Sequence, residues 1–149
     1  MELFSLIFIT KIIMAAGKYS FTIEQGTTVD FELQYRDSSN IPIDLTGYTG
    51  AMSIRSAYSS SGTTYLALTS LTGSEYASGK PSGSAFLSIS GSNLSTPPSS
   101  GSVGVYIGFG LTDSLTFTTP AYYDIELTSG SIRTRLLEGR INLSQQVTY

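Results

Sequence analysis

Residues 122–144 read YYDIELTSGSIRTRLLEGRINLS, and this stretch decides the fold class. Apolar and polar side chains alternate on both sides of Ser129-Gly130, a dipeptide typical of tight two-residue turns. Successive side chains of a β-strand point to opposite faces of its sheet, so each run would have one apolar and one polar face. The stretch therefore predicts an antiparallel hairpin in a half-buried sheet.

The predicted hairpin places opposite charges across from one another on its polar face. Counting outward from a turn at Ser129-Gly130 puts Glu126 opposite Arg133 and Asp124 opposite Arg135. The apolar face is expected to hold Tyr123, Ile125, Leu127, Ile132 and Leu136. A slip of one residue would bury the charges, so the faces are well specified. We interpret the charged residues either as a solvated, salt-bridged surface or as a docking surface for another subunit.

The composition excludes several classes of site. The 149 residues include no His and no Cys, which rules out a zinc site built from those residues, a cysteine nucleophile and a Ser-His-Asp triad. Charged residues make up 13% of the chain and the formal net charge is −3, so the basic footprint of a nucleic-acid-binding protein is missing. We therefore expect no cofactor and no nucleic-acid partner.

The first residues stand apart from the rest, and we treat residues 1–17 as an N-terminal extension. Residues 1–13 read MELFSLIFITKII, an apolar run that Lys11 interrupts and that is shorter than the ~20 residues of a membrane-spanning helix. Three interpretations stay open: a mis-called start codon with the natural start at Met14, a weak signal peptide or anchor, and an arm that packs on a neighbouring subunit. The single domain is expected over residues 18–149, without a membrane partner.

Short alternating segments recur along this domain. The clearest spans residues 28–36, where apolar residues alternate with Asp30, Glu32, Gln34 and Arg36. Further strands are expected at residues 18–23, 41–45, 51–57, 64–71, 85–89, 103–109 and 140–143, with a bulge or bend at Gly139. No helical period is sustained anywhere, so eight to ten short strands predict an all-β sandwich or barrel.

One of these strands contains several glycines. Gly104, Gly108 and Gly110 alternate with apolar residues, and glycine in a strand often marks a place where another backbone approaches closely. A phosphate-binding loop is a poor interpretation, because no helical pattern follows.

Candidate catalytic and metal-binding residues are few. Asp30 and Glu32 share one strand face, as alternation produces on any solvated strand, whereas a glycosidase needs two carboxylates facing across a cleft. The segment Asp37-Ser38-Ser39-Asn40 could contribute to a calcium loop, although a turn explains it better. We expect neither an enzyme nor a metal protein.

Tyrosines offer one further kind of site. Four of the ten are expected to be exposed: Tyr58, Tyr65, Tyr76 and Tyr106. Exposed aromatic rings can stack on sugar rings, so a host glycan is an alternative partner, while tyrosine as an ordinary strand residue is the simpler interpretation.

Two segments resemble small structural proteins of tailed bacteriophages. Residues 22–56 carry a TIEQG opening followed by IDLTGYT and MSIR, and residues 122–148 carry YDIEL, TRLLEGR and a closing LSQQVT. The resemblance implies an immunoglobulin-like antiparallel β-sandwich of about eight to ten strands. It also implies a non-enzymatic virion protein that assembles with other virion proteins and with its own copies in the tail, baseplate or fibre attachment. A head-decoration or host-glycan-binding module on the same fold is the alternative.

Overall fold

The computed structural model describes residues 8–10 and 16–148, and their ten strands form two packed sheets. The strands are β1 (Phe8–Thr10), β2 (Gly17–Lys18), β3 (Phe21–Glu24), β4 (Val29–Arg36), β5 (Thr49–Arg55), β6 (Thr64–Thr69), β7 (Ala85–Ser88), β8 (Ser102–Ile107), β9 (Ala121–Ser129) and β10 (Ile132–Ser144). One short helix, α1 (Phe109–Thr112), and two 3-10 turns at Gly73–Ser78 and Pro98–Ser100 lie between them.

The order of the strands is that of an immunoglobulin-like sandwich. One sheet has the order β1-β4-β8-β7, and the other has β2 and β3 beside β10, followed by β9, β5 and β6. In immunoglobulin terms, β4, β8 and β7 take the places of strands B, E and D, while β10, β9, β5 and β6 take those of G, F, C and C′. The predicted fold class, an immunoglobulin-like antiparallel β-sandwich of eight to ten strands, is confirmed.

Alternating residues of the predicted strands fill the core between the sheets. On β9, Ala121, Tyr123, Ile125 and Leu127 are all buried, and the residues between them are half-buried on the outer face. Fully burying a large apolar side chain contributes about 1.5–3 kcal/mol. A one-residue slip of β9 would forfeit that burial along the whole strand, so alternation alone determines which face points inward.

The outer face of the β4-β8-β7 sheet is covered by the chain's own loops. All six residues of β8 are buried. A Cβ at Gly104 would lie 2.9 Å from the backbone of Gly91, and a Cβ at Gly108 would lie 2.2 Å from the Ser82 carbonyl oxygen. The predicted close approach of another backbone to these glycines is therefore confirmed.

The β9–β10 hairpin is present, but its predicted register was wrong. The two loop residues are Gly130 and Ser131, and Arg135 rather than Arg133 lies opposite Glu126. Gly130 has a φ of 59°, and a type II′ turn takes its glycine at the first loop position, whereas the prediction placed glycine second. The correction slides one strand by two residues, which leaves each side chain of β9, and of β10 as far as Leu136, on its predicted face.

A β-bulge then changes the register once more along β10. The pairing shifts between Arg135 and Leu137, so Leu136 and Leu137 are both buried. The bulge predicted at Gly139 thus lies at Leu136 instead. Ile132, predicted on the apolar face, is 67% exposed because it is the first residue after the turn, at the hairpin tip.

One predicted strand also needs correction. Residues 41–45 form no strand, and only Pro42 pairs with Arg36 as an isolated bridge. Proline lacks the amide donor that a ladder requires, which limits pairing there. Residues 111–119 begin in the short helix α1 and continue without regular structure.

Part of the predicted N-terminal extension lies outside the described residues. Of the remainder, β1 runs parallel to β4 and β2 runs parallel to β10. Pairing with the sheets therefore begins before residue 18, where the sequence predicted the domain to start.

Gly139 of β10 lies against Tyr19, in the segment between β2 and β3. A Cβ there would lie 1.9 Å from the Tyr19 carbonyl oxygen. The same oxygen accepts a 2.5 Å hydrogen bond from the Tyr123 hydroxyl, and the Tyr19 amide donates to the Glu138 carbonyl at 3.0 Å. Burial raises the pKa of Tyr123, which keeps its hydroxyl protonated as the donor.

We expect Gly139→Ala to lower the free energy of unfolding by about 1–3 kcal/mol or more, because the added methyl group must displace backbone atoms. Gly83→Ala is the matched control, since a Cβ at Gly83 meets nothing within 4 Å, and it should change stability by no more than about 0.5 kcal/mol. Urea unfolding of both variants measures the difference. Equal stability of the two would show that the Tyr19 contact is easily rearranged.

Candidate interaction face

The four charged residues predicted as an interaction face do lie together on the outer face of the six-stranded sheet. Asp124 and Glu126 come from β9, and Arg133 and Arg135 come from β10. Arg135 Nε lies 3.3 Å from Asp124 Oδ2, and Arg135 Nη2 lies 3.8 Å from Glu126 Oε2. Arg133 Nε lies 3.9 Å from Glu126 Oε1. Arg135 thus contacts both carboxylates of the neighbouring strand.

Two further charged residues, which the sequence reasoning missed, extend this group. Glu138 Oε1 lies 3.2 Å from Arg135 Nη1, and Lys18 of β2 forms an ion pair with Glu138. The bulge at Leu136 turns Glu138 toward the outer face, and the alternating pattern gave no signal of that shift. The charged face comprises Lys18, Asp124, Glu126, Arg133, Arg135 and Glu138.

Acidic and basic groups sit at different depths in the charged face. The side chains of Lys18 and Arg133 are 73% and 69% exposed, whereas that of Glu138 is 15% exposed. Asp124 and Glu126 are intermediate at about a third. A molecule that approaches the face therefore meets ammonium and guanidinium groups first, with the carboxylates beneath them.

The pKa values of two carboxyl groups move in opposite directions. Burial, and then repulsion from Glu126, raises the pKa of Asp124, although Arg135 opposes the change. The pKa of Glu138 is lowered, chiefly by its hydrogen bond from Lys18. The end of the face near Lys18 thus holds its negative charge more firmly than the centre does.

Aromatic side chains lie at one end of the same sheet. The rings of Tyr58 and Tyr122 are 4.6 Å apart and tilted by 42°, and the Arg140 guanidinium lies 5.8 Å from the Tyr122 ring centre. Tyr58 is 66% exposed, as predicted. The tilt means that the two rings form no flat platform for a sugar ring.

The other tyrosines predicted to be exposed are in different surroundings. Tyr106 is buried, and its hydroxyl donates to the carbonyl oxygens of Lys80 and Pro81 at 2.8 and 2.9 Å, so that prediction was wrong. Tyr65 stacks on Phe117 with ring centres 4.8 Å apart and is half-buried. Tyr76 is half-buried within the 3-10 turn Gly73–Ser78.

The remaining candidate carboxylates have structural partners. Asp30 pairs with Lys80 at 2.6 Å, and Glu32 accepts a 2.8 Å hydrogen bond from the Ser92 amide. Asp37 accepts hydrogen bonds from the amides of Ser39 and Ile41, as expected for a turn.

The described residues provide neither a metal cluster nor a membrane helix. Among residues 8–10 and 16–148, no group of three or more Asp or Glu side chains could hold a metal ion. Over the same part of the chain, no helix is long and apolar enough to cross a membrane.

Comparison with known proteins gives structural neighbours alone. No family model matches the chain, and no curated protein matches it. The solved structures that are similar in fold include a marsupial T cell receptor, with a TM-score of 0.40 and 9% sequence identity. The match covers 87% of this chain and 51% of the receptor chain, so the present chain spans about half the receptor's length.

We expect the stability contribution of Glu138 to depend on pH. Its lowered pKa means that the contribution is present above the unfolded value of 4.5 and is lost as pH falls through the folded value. Glu138→Gln should therefore lower the free energy of unfolding by up to about 1 kcal/mol at pH 7. The gap to the wild type should begin to narrow below the unfolded value of 4.5 and should close as pH falls through the lower pKa of folded Glu138.

Asp124→Asn is the matched comparison for this measurement. Because the folded pKa of Asp124 is raised, its ionisation opposes folding as pH rises through its titration range. The free energy of unfolding of Asp124→Asn should therefore rise relative to that of the wild type as pH increases. That of Glu138→Gln should fall relative to the wild type over the same change. Urea unfolding between about pH 3 and 8 measures both trends, and parallel trends would contradict the assigned charge environments.

Proposed function

We propose that this protein is a non-enzymatic structural module of a tailed-phage particle, placed in the tail, baseplate or fibre attachment, and that its charged face contacts a neighbouring virion protein. The observation that carries the proposal is spatial. The segments 22–56 and 122–148, which resemble phage structural proteins, are far apart in the sequence. They supply β3, β10, β9 and β5, which are neighbours in the six-stranded sheet, together with β4 of the other sheet. Most of the strands that carry the resemblance therefore belong to the sheet whose outer face holds Asp124, Glu126, Arg133 and Arg135.

The difference between the two outer faces of the sandwich supports a contact role for this surface. Loops cover the β4-β8-β7 sheet, where Gly104 and Gly108 lie against other backbone segments. On the six-stranded sheet, Arg133 and Arg135 remain 69% and 49% exposed. A partner can therefore approach the second face without displacing part of this chain.

The chemistry of the charged face favours a partner with acidic groups. Its most exposed side chains are basic, and guanidinium groups form paired hydrogen bonds with carboxylates. Asp124 and Glu126 are ion-paired on the sheet surface, an arrangement that aligns the arginines instead of presenting a free acid and base. The face is thus suited to binding and to specificity of assembly.

A test of this role needs the phage or induced lysogen that encodes the chain. We expect the protein in gradient-purified particles, at the tail when labelled with an antibody in electron micrographs. Arg133→Gln and Arg135→Gln should each reduce its incorporation, on the order of tenfold for a loss of about 1.4 kcal/mol in contact energy. Quantitative mass spectrometry of the particles measures this reduction.

Lys80→Gln is the matched control, because it also removes one positive charge. Lys80 pairs with Asp30 of the other sheet and lies outside the charged face. Its incorporation should equal that of the wild type. Detection of the protein only in the particle-free lysate would refute the virion role. Equal incorporation of all three variants would refute the contact role of the charged face.

A further inference from the structure

Arg140 of β10 carries a guanidinium that has no polar partner on the outer face of the six-stranded sheet. Lys18, Arg133 and Arg135 on the same face are each ion-paired with a carboxylate. Within residues 8–10 and 16–148, the exposed Arg140 side chain contacts the Tyr122 ring but forms neither an ion pair nor a hydrogen bond. A paired guanidinium must exchange one carboxylate for another, whereas an unpaired one can form two new hydrogen bonds with an incoming carboxylate.

The ring of Tyr122 supports this guanidinium. Tyr122 is the direct neighbour of Arg140 across the β9–β10 ladder, and the guanidinium lies 5.8 Å from its ring centre, within the range of a cation–π contact. A guanidinium has five N–H donors, and one ring cannot occupy them all. The contact therefore restricts the side chain, which lowers the entropy cost of binding, and still leaves donors for a ligand.

A second ring extends the site on the β5 side of Tyr122. The loop after β5 carries Tyr58, whose ring centre lies 4.6 Å from that of Tyr122 and which is 66% exposed. Arg55 holds this loop, since its guanidinium donates to the carbonyl oxygens of Ser60 and Gly62 at 3.0 and 2.6 Å. Arg55 is thus a positioning residue, and Tyr58 presents an apolar surface that is in place before a ligand binds.

A small cavity beside the two rings determines where the charge of a ligand can lie. Its wall includes Ser53, Ala57 and Asp124. The Asp124 carboxylate repels a second carboxylate at this position, whereas Arg140 attracts one. The arrangement therefore suits a ligand with its negative charge at Arg140 and an uncharged, apolar group beside Tyr58.

We propose that Arg140, Tyr122 and Tyr58 form a binding site for an acidic side chain and an adjacent apolar side chain of a partner polypeptide. Arg140 binds the carboxylate through paired hydrogen bonds, and the two rings cover the apolar side chain. Both contacts flank the single ring of Tyr122, so the two side chains must be close neighbours in the partner. The 42° tilt between the rings favours a flexible peptide side chain over a flat sugar ring.

This inference goes beyond the proposed function, because the three residues lie outside the charged face and the site does not depend on the origin of the partner. Tyr122 is four residues from Glu126 along β9, which places Arg140 roughly 13 Å from Arg135 along the strands. A dipeptide bound at one of these places does not reach the other. Binding at Arg140 and binding at the charged face can therefore be tested separately.

NMR titration of the full, isotope-labelled chain with the blocked dipeptide N-acetyl-Glu-Phe-amide tests the site. We expect concentration-dependent shifts of the Tyr58, Tyr122 and Arg140 amide signals, with weak affinity because one exposed ion pair and one ring contact contribute little. N-acetyl-Gln-Phe-amide lacks the charge, and N-acetyl-Glu-Ala-amide lacks the ring. Each should bind at least about fivefold more weakly.

Three variants separate the contributions. Arg140→Gln should weaken binding of N-acetyl-Glu-Phe-amide about tenfold, because it removes a hydrogen-bonded charge. Tyr58→Ala should reduce the affinity to that of N-acetyl-Glu-Ala-amide. Arg133→Gln is the matched control, since it removes the same charge from the same strand but within the charged face, and it should bind like the wild type. All three residues are exposed, and the amide spectra report whether each variant folds.

Three results would overturn the proposal: equal binding of the glutamate and glutamine peptides, no shift at Tyr58, Tyr122 and Arg140, or an equal loss of binding in Arg133→Gln and Arg140→Gln. Tighter binding of N-acetylneuraminic acid, a carboxylated sugar, than of N-acetyl-Glu-Phe-amide would overturn the assignment to a polypeptide. Retained dipeptide binding in Arg133→Gln, whatever its incorporation into particles, would support a site distinct from the charged face.

Discussion

The contact between the Tyr19 carbonyl and Gly139 is the constraint on which the six-stranded sheet depends. It allows the chain entering the domain to lie directly on β10, where β3 then continues in parallel register. The aromatic rings of Tyr19, Phe21, Phe31 and Tyr123 meet at the same place, with centres 5.4–6.1 Å apart. Since Phe31 belongs to β4, this cluster also joins the two sheets. A side chain at position 139 would have to displace the Tyr19 backbone, which lies between β2 and β3, from its place against β10.

The hairpin shows which structural features an alternating pattern predicts and which it does not. Any shift of register by two residues leaves each side chain on the same face, so alternation determined the buried face of β9 but could not choose between Arg133 and Arg135 as the partner of Glu126. The turn determines this pairing, because Gly130, which has a positive φ, is the first loop residue. The bulge at Leu136 is a local change that periodicity cannot show, because two adjacent leucines suit either a bulge or the end of a strand.

The same distinction explains what could be predicted of the charged face. Asp124, Glu126, Arg133 and Arg135 share a face by alternation within two adjacent strands, and the structure places them together. Lys18 belongs to a strand more than a hundred residues before Glu138 in the sequence. Their ion pair depends on the tertiary structure. Burial of Tyr106 was missed for a similar reason: its strand pattern predicts an outer face, but the loop containing Lys80 covers that face. The sequence predicts faces well and neighbours across the fold poorly.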